Sequence, residues 1–263
     1  MAETPLGKTS DWNPDIYLTF ASERAQPVID LVHRIGPAPR RTILDVGCGP
    51  GNSTEVLAAF WPRAKIVGID HSPSMIRAAR ERLPSLDWRT IDVQKFRPPT
   101  GFDLVFSNAV IHWIPRHESL LPQLLAMTNP GGVLAIQVPL SSEMPIAELI
   151  DEAYRETTNG PNLSLAGILN YHPMEYYYDL LSGLGVKFDL WTTGYVHVMD
   201  SPQAIYEMMK ATRIRPYLDA LPRESSRQQF EALLVSKVQA RYQPQGDGKI
   251  LFPFKRLFLL VRR

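Results

Sequence analysis

Cysteine is almost missing from this 263-residue chain: Cys48 stands alone, which excludes an internal disulfide and any metal centre built on clustered thiolates. A surplus of charge is missing too. Lys and Arg total 28 against 27 for Asp and Glu, so no broad basic field draws nucleic acid or an anionic membrane, and an anionic partner must be recognised in a local pocket. No apolar run approaches the roughly 18 residues of a membrane span, and the opening "MAETPLGKTSDWNPD" has no apolar signal core. Repeats and low-complexity segments are absent. What remains is the expectation of a cytoplasmic, enzyme-sized unit, with 44% hydrophobic residues to bury a core without covalent staples.

Against those absences stands a regular alternation. "RTILDV" (41–46), "AKIVGID" (64–70), "FDLVFSN" (102–108) and "GVLAIQVP" (132–139) are short apolar segments of buried-strand type, and "LDWRTID" (86–92) adds a fifth. Between them "NSTEVLAAFW" (52–61), "SPSMIRAARERL" (72–83) and "HESLLPQLLAMT" (117–128) space their apolar residues as helices do. Strand–helix alternation predicts a doubly wound parallel sheet, with any ligand at the carboxyl ends of the strands. After Pro139 the rhythm changes. Helical patterns at 144–157, 174–185, 201–214 and 223–242 surround a loop-like 160–170, and "VKFDLWTTGYVHVM" (186–199) and "KRLFLLVRR" (255–263) are β-type runs. A single domain over 1–263 is expected: a core at about 40–140, the sheet completed by 186–199 and 255–263, and a helical cap from about 1–35, 141–170 and 200–250.

The chemistry starts in "ILDVGCGPGNST" (43–54). Gly47, Gly49 and Gly51 lie between a strand and a helix start, where missing Cβ atoms let the backbone turn sharply and approach a ligand. A dinucleotide fingerprint places its third glycine at 52, and that position is Asn52. Asp45 just before the glycines would repel a pyrophosphate but welcome an ammonium, which favours an adenosyl amino acid over a dinucleotide. Asp70, nineteen positions after Gly51, ends the second strand where such folds place the acid that takes a ribose diol, although it could also cap the helix that Ser72 caps better. Asp92 is read as ending the third strand and accepting from an adenine amino group. Met75 is core or lies under the adenine; Cys48 is a small loop residue. His71, His112 and His117 have no metal-ligand spacing, so each is expected to cap or lie at the surface, and no metal site is expected.

Taken together, "LDVGCGPGN", "GIDHSPSMI", "TIDVQKF" and "FDLVFSNAVIHW" resemble the four motifs of the class I S-adenosylmethionine-dependent methyltransferases, over about 43–139. The resemblance implies a Rossmann-like, mostly parallel seven-stranded sheet and S-adenosylmethionine as cofactor, with S-adenosylhomocysteine as product. It adds His71 and Val93, beside the two acids, to a cofactor-lining set of Asp45, Gly47, Gly49, Asp70, Met75 and Asp92. Asn108 and Ala109 fall at a strand end beside the methyl, and His112 and Trp113 shape the acceptor side, though Trp113 also suits a core position.

The flanks, "DWNPDIYLTFASERAQPVIDLV" (11–32), "EYYYDLL", "QAIYEMMKATRIRPYL" and "GKILFPFKRLFLLVRR", resemble the trans-aconitate 2-methyltransferases from Asp11 to Arg263. This likeness implies methyl transfer to a carboxylate of a small tricarboxylate. A carboxylate is an anion at neutral pH, so no general base is required, only alignment and exclusion of water. Arg suits carboxylate recognition, and Arg215 in "ATRIRPYL" is the expected acceptor cation, with a solvated surface Arg as the other reading. Tyr17 and Arg24, seven apart on a helical pattern, either fold over the cofactor or pack; Trp12 and Asn13 close the pocket, with Tyr17 also on the acceptor side. Methylation of another carboxylate or of a quinone-type carbon, and a non-catalytic cofactor-binding regulator, stay open at this point. No feature of the sequence speaks to oligomeric state.

Overall fold

The computed structural model describes residues 21–165, 168–210 and 212–263. Its centre is β1 (Thr42–Val46), buried from Ile43 onward because neighbours on both edges and both faces cover it. On one edge lie β2 (Lys65–Asp70) and β3 (Asp87–Thr90), on the other β4 (Phe102–Asn108) and β5 (Thr128–Pro139), all parallel. The long strands β6 (Lys187–Met199) and β7 (Ile250–Arg262) complete the order β3-β2-β1-β4-β5-β7-β6, and β7 runs antiparallel to β5. The expected seven-stranded, mostly parallel, doubly wound sheet is therefore what forms. Strand order reverses at β1 and β4, which places a crevice at their carboxyl ends.

The helices of the sheet are α1 (Ala21–Ile35), α2 (Asn52–Phe60), α3 (Pro73–Arg82), α4 (His117–Ala126) and, later in the chain, α6 (Met174–Gly183), which follows α5 (Pro145–Thr158). Ser72 caps α3 by accepting from the Met75 amide at 3.3 Å, with Pro73 filling the first turn where no donor is needed. Leu120, Leu121 and Leu124 of α4 and Tyr177 and Leu181 of α6 bury one sheet face through Leu44, Val105, Leu134, Ile136, Val138 and Leu259. The opposite face is covered by α1 and α2, whose packing involves Val28, Leu31, Val32 and Leu57.

The chain divides into two compact units. One holds described residues 21–140, 168–193 and 256–263; the other holds 141–165, 194–210 and 212–255. The sequence reading grouped 1–35 with the cap, but α1 belongs to the sheet unit, because Val28, Leu31 and Val32 give it an apolar stripe that packs on α2 and β5. In the other unit α9 (Glu224–Arg241) packs on α5 and on α7 (Pro202–Lys210). There Lys237 links Glu152 at 3.2 Å and Glu156 at 2.7 Å. Short α8 (Arg215–Ala220) is separate from α7, so the helical pattern over 201–214 ends early. Two strands start before their expected limits. β5 begins at Thr128 because Thr128 pairs with Phe102 and a register shift absorbs the following residues; β7 begins at Ile250.

Gly68 of β2 lies against the Trp88 ring: a Cβ there would come within 2.4 Å of two ring carbons and 3.1 Å of the Cys48 sulfur. Gly68→Ala is expected to lower stability by about 1–3 kcal/mol through overpacking. Gly183→Ala, where a Cβ meets nothing within 4 Å, is expected to be neutral or slightly stabilising. Thermal unfolding of both variants checks the contrast, and equal melting temperatures would contradict it.

Candidate functional site

The chain leaves β1 through Gly47, whose φ is +67° and whose missing Cβ leaves room for Val110 beyond β4; a Cβ would lie 2.4 Å from both Val110 methyl groups. Only glycine lets the exits of β1 and β4 approach so closely. The next turn is tied to β2. Gly47 and Cys48 amides donate to the Ile69 carbonyl at 2.8 and 3.0 Å, and the Gly49 amide donates to Asp70 Oδ2 at 3.0 Å. Behind it Cys48 packs with Ile76, Ala79 and Trp88, and burial pushes its thiol well above the ordinary range, so it is an inert packing residue.

Asp45 is the buried acid of this region, 1% exposed. Its Oδ2 accepts from the Thr54 hydroxyl at 2.6 Å, while Oδ1, also buried, accepts from no donor among the described residues. Burial raises its pKa from 3.8 to about 7, against the Thr54 hydrogen bond, with Asp70 adding to the rise. Asp70 holds the end of β2: beside the Gly49 contact, its Oδ1 accepts from the Ser72 amide at 2.9 Å. His71 is exposed, 3.5 Å from Asp70, and Met75 is buried. Asp92 requires a correction. β3 ends at Thr90, and Asp92 lies two residues beyond, capping the turn Val93–Lys95 by accepting from the Gln94 amide at 2.9 Å; Val93 is buried.

At the end of β4, Asn108 Nδ2 donates to Ser53 Oγ at 3.5 Å, and its buried Oδ1 accepts from no donor among the described residues. Ala109 follows with φ +57°, a left-handed conformation uncommon for a residue with a Cβ, and its amide donates to the Gln137 carbonyl at 2.9 Å. The turn Ile111–Trp113 then presents a half-buried Trp113 beside His112. Surface or capping positions were expected for His112 and His117, and both are buried. His112 stacks on Tyr171 at 5.2 Å, its carbonyl accepting from the Asn170 amide at 2.7 Å. His117 bonds the Ile111 carbonyl at 2.8 Å and the Tyr177 hydroxyl at 2.9 Å, and burial lowers its pKa, so it is a neutral structural link between α4 and α6.

Strand registers reveal a polar row. Asp45 pairs with Phe106, Asn108 with Gln137 and Gln137 with Phe258, so Asp45, Asn108, Gln137 and Arg256 all lie on the face opposite the large apolar cluster. Gln137 is 0% and Arg256 4% exposed, and Arg256 Nη1 donates to Gln137 Oε1 at 3.1 Å. The sequence reading missed both, as well as the Thr54 and Ser53 contacts; lone polar residues inside "GVLAIQVP" and "KRLFLLVRR" were the available signal. The structure thus brings Asp45, Gly47, Gly49, Asp70, His71, Met75, Val93, Asn108, Ala109, His112 and Trp113 into one unit. Arg215 belongs to the other unit, with Asp219 3.9 Å from its Nε. Trp12, Asn13 and Tyr17, and the side chain of Arg24, lie outside what is described. Among the described residues no group of three or more His, Cys, Asp or Glu could hold a metal ion, and no helix is long and apolar enough to cross a membrane.

Comparison with known proteins agrees with this geometry. A family model described as a methyltransferase domain matches residues 20–187. The chain is 42% identical over 255 residues to a trans-aconitate 2-methyltransferase of Azoarcus sp. (strain BH72), covering 96% of this chain and 99% of that one. It is 41% identical over 254 residues to the trans-aconitate 2-methyltransferase of an Escherichia coli strain, covering 97% and 99%. Among solved structures, the YcgJ protein of Bacillus subtilis superposes with a TM-score of 0.60 at 12% identity, over 90% of this chain and 97% of that one. Phosphoethanolamine N-methyltransferase 2 of Haemonchus contortus, solved with S-adenosylhomocysteine, gives 0.57 at 19% identity, over 94% and 57%. Both superpositions support the fold.

The energetic cost of Asp45 is testable without any ligand. Its pKa is raised on folding, so the unfolded chain gives up this proton near pH 3.8 and the folded chain near 7; stability falls between those values and stays low above. The difference sets a ceiling of about 4 kcal/mol. Asp45→Asn is expected to exceed the parent in stability most at pH 8, by clearly less at pH 5 and by little near pH 3, as denaturant unfolding at the three pH values would read; a gap independent of pH would contradict the buried charge.

Proposed function

Because this chain belongs to the trans-aconitate 2-methyltransferase family of methyltransferases, we propose that it transfers a methyl group from S-adenosylmethionine to a carboxylate oxygen of trans-aconitate, giving the monomethyl ester and S-adenosylhomocysteine. The observation that supports this best is the buried Asp45 carboxylate beside the glycine turn, with an oxygen that takes no donor among the described residues. Such an oxygen fits the ammonium of an adenosyl amino acid and would repel a dinucleotide pyrophosphate. Asp70 is the acid for the ribose diol. Asp92 and Val93 flank the adenine together with His71 and Met75, and the Gly47 and Gly49 backbone supplies the close approach. Asn108, Ala109, His112 and Trp113 border the acceptor.

When bound, the cofactor supplies an electrophilic methyl group on a sulfonium. The protein's share is placement. The acceptor carboxylate arrives already ionised, so no residue has to take a proton from it. The residues around the β4 exit are buried or half-buried, where a carboxylate sheds water and keeps its nucleophilicity. With the chain's net charge of +1, a small tricarboxylate is the partner proposed, not nucleic acid or a membrane, and a single buried thiol is compatible with action in a reducing cytoplasm.

Incubation with radiolabelled S-adenosylmethionine and trans-aconitate is expected to yield a base-labile methyl ester. The turnover number at saturation of both substrates is expected to stay flat from about pH 7 to 9, since the cofactor ammonium keeps Asp45 ionised in the saturated complex and the reaction uses no general base. Base-stable product, or a rate that falls as one imidazole protonates, would contradict carboxylate methylation.

A further inference from the structure

The first turn of α2 directs its hydroxyls at the strand ends and not at its own cap. Gly51 precedes the helix without a side-chain cap bond, Ser53 Oγ accepts from the Asn108 amide of β4 at 3.5 Å, and Thr54 Oγ1 donates to Asp45 Oδ2 of β1 at 2.6 Å. Thr54 is 0% and Asp45 1% exposed, so the last of these bonds is withdrawn from solvent. A carboxylate turns easily about its last torsion, whereas a helical threonine is restricted to two χ1 rotamers, one of which returns the hydroxyl to its own helix. The bond to Asp45 selects one rotamer and stops the carboxylate from turning. With Oδ2 held, Oδ1 accepts from no donor among the described residues. An ionised carboxylate only accepts, so the hydroxyl also favours the charged form against burial and against Asp70 at the end of β2. The other groups around it add no opposing charge: the buried Cys48 thiol is neutral, Phe106 and Asn108 of β4 carry none, and Glu55 of α2 is exposed and paired with Arg82. On α1, His33 and Arg34 are exposed and Asp30 accepts from the Gln26 amide at 2.8 Å.

We infer that Thr54 is a positioning residue for the cofactor, its hydroxyl fixing the Asp45 carboxylate so that one oxygen stays available to the ligand's ammonium. The inference rests on the reading of Asp45 as the ammonium site and adds to it a residue that acts only through Asp45. Thr54 has two effects there. It holds the plane of the carboxylate, and it raises the share of molecules in which that carboxylate is charged before the ligand arrives. A site that must first lose a proton binds a cation more weakly in proportion to the share already ionised, so the second effect belongs to neutral pH and fades as the pH rises.

Two full-length variants test this by calorimetry with S-adenosylhomocysteine. Thr54→Val keeps the branched shape and removes the donor; Thr54→Ser keeps the donor. Thr54→Val is expected to raise the dissociation constant by roughly tenfold at pH 7 and by less than about threefold at pH 8.5. Proton release on binding at pH 7 is expected to rise from roughly half a proton in the parent toward one in Thr54→Val, because Asp45 then starts more fully protonated. Thr54→Ser is expected to restore both the affinity and the smaller release. If Thr54→Val does not fold, Thr54→Ala is read at the same two pH values, with shifts in the same direction. An unchanged affinity in Thr54→Val, or a loss that is independent of pH with proton release left at the parent's value, would overturn the positioning role alone. A parent that does not bind S-adenosylhomocysteine, or an Asp45→Asn variant that binds it as tightly as the parent, would overturn the reading of Asp45 beneath it.

Discussion

A carboxylate has been driven into the centre of the sheet, and much of the arrangement around it follows. Asp45 sits on the innermost strand with one oxygen held by Thr54 at 2.6 Å and the other bare of any donor among the described residues. An acid in that position raises its own pKa to about 7 and costs stability wherever it is ionised. The function proposed for the chain gives that cost a purpose, since a cofactor ammonium would complete the carboxylate. The glycines beyond Asp45, the tie of Gly49 to Asp70 and the close approach of Val110 to Gly47 fix the course of the backbone at that point.

The same constraint extends along the sheet. Parallel register from β1 through β4 to β5 keeps Asp45, Asn108 and Gln137 on one face, and the reversed direction of β7 still brings Arg256 level with them. The opposite face is filled by the apolar cluster with α4 and α6, so the buried polar groups are confined to the face that α1 and α2 cover. Ala109, in its left-handed conformation, and the turn Ile111–Trp113 bend the chain across the carboxyl edge, where His112 is fixed by Tyr171. His117 and Tyr177 anchor the same region from below, as neutral packing groups.

Much of this was legible in the residues. The limits of β1, β2 and β4, the Ser72 cap and the glycine turn come from local chemistry: period, capping and missing Cβ atoms are written into a few neighbouring positions. Long-range pairing is not. Asp92 looked like a strand end because "LDWRTID" stays β-like to its last residue; that β3 stops at Thr90 is decided by where β2 ends. α1 was grouped with a cap since an amphipathic stripe says that a face is buried but not against what. Gln137 and Arg256 were hidden for the same reason, 119 positions apart in sequence and bonded only through the β5–β7 register. Thr54 was read only as one residue of the helical segment 52–61, and its hydroxyl serves Asp45 because α2 follows directly from the glycine turn that leaves β1.

The most direct measurement of the central claim is proton linkage to S-adenosylhomocysteine binding, by calorimetry at pH 7 in buffers of different ionisation enthalpy. If a ligand ammonium completes Asp45, binding pulls that carboxyl's pKa down from about 7 and releases roughly half a proton, and Asp45→Asn abolishes the release. Binding without proton release in the parent, or the same release in Asp45→Asn, would contradict the account.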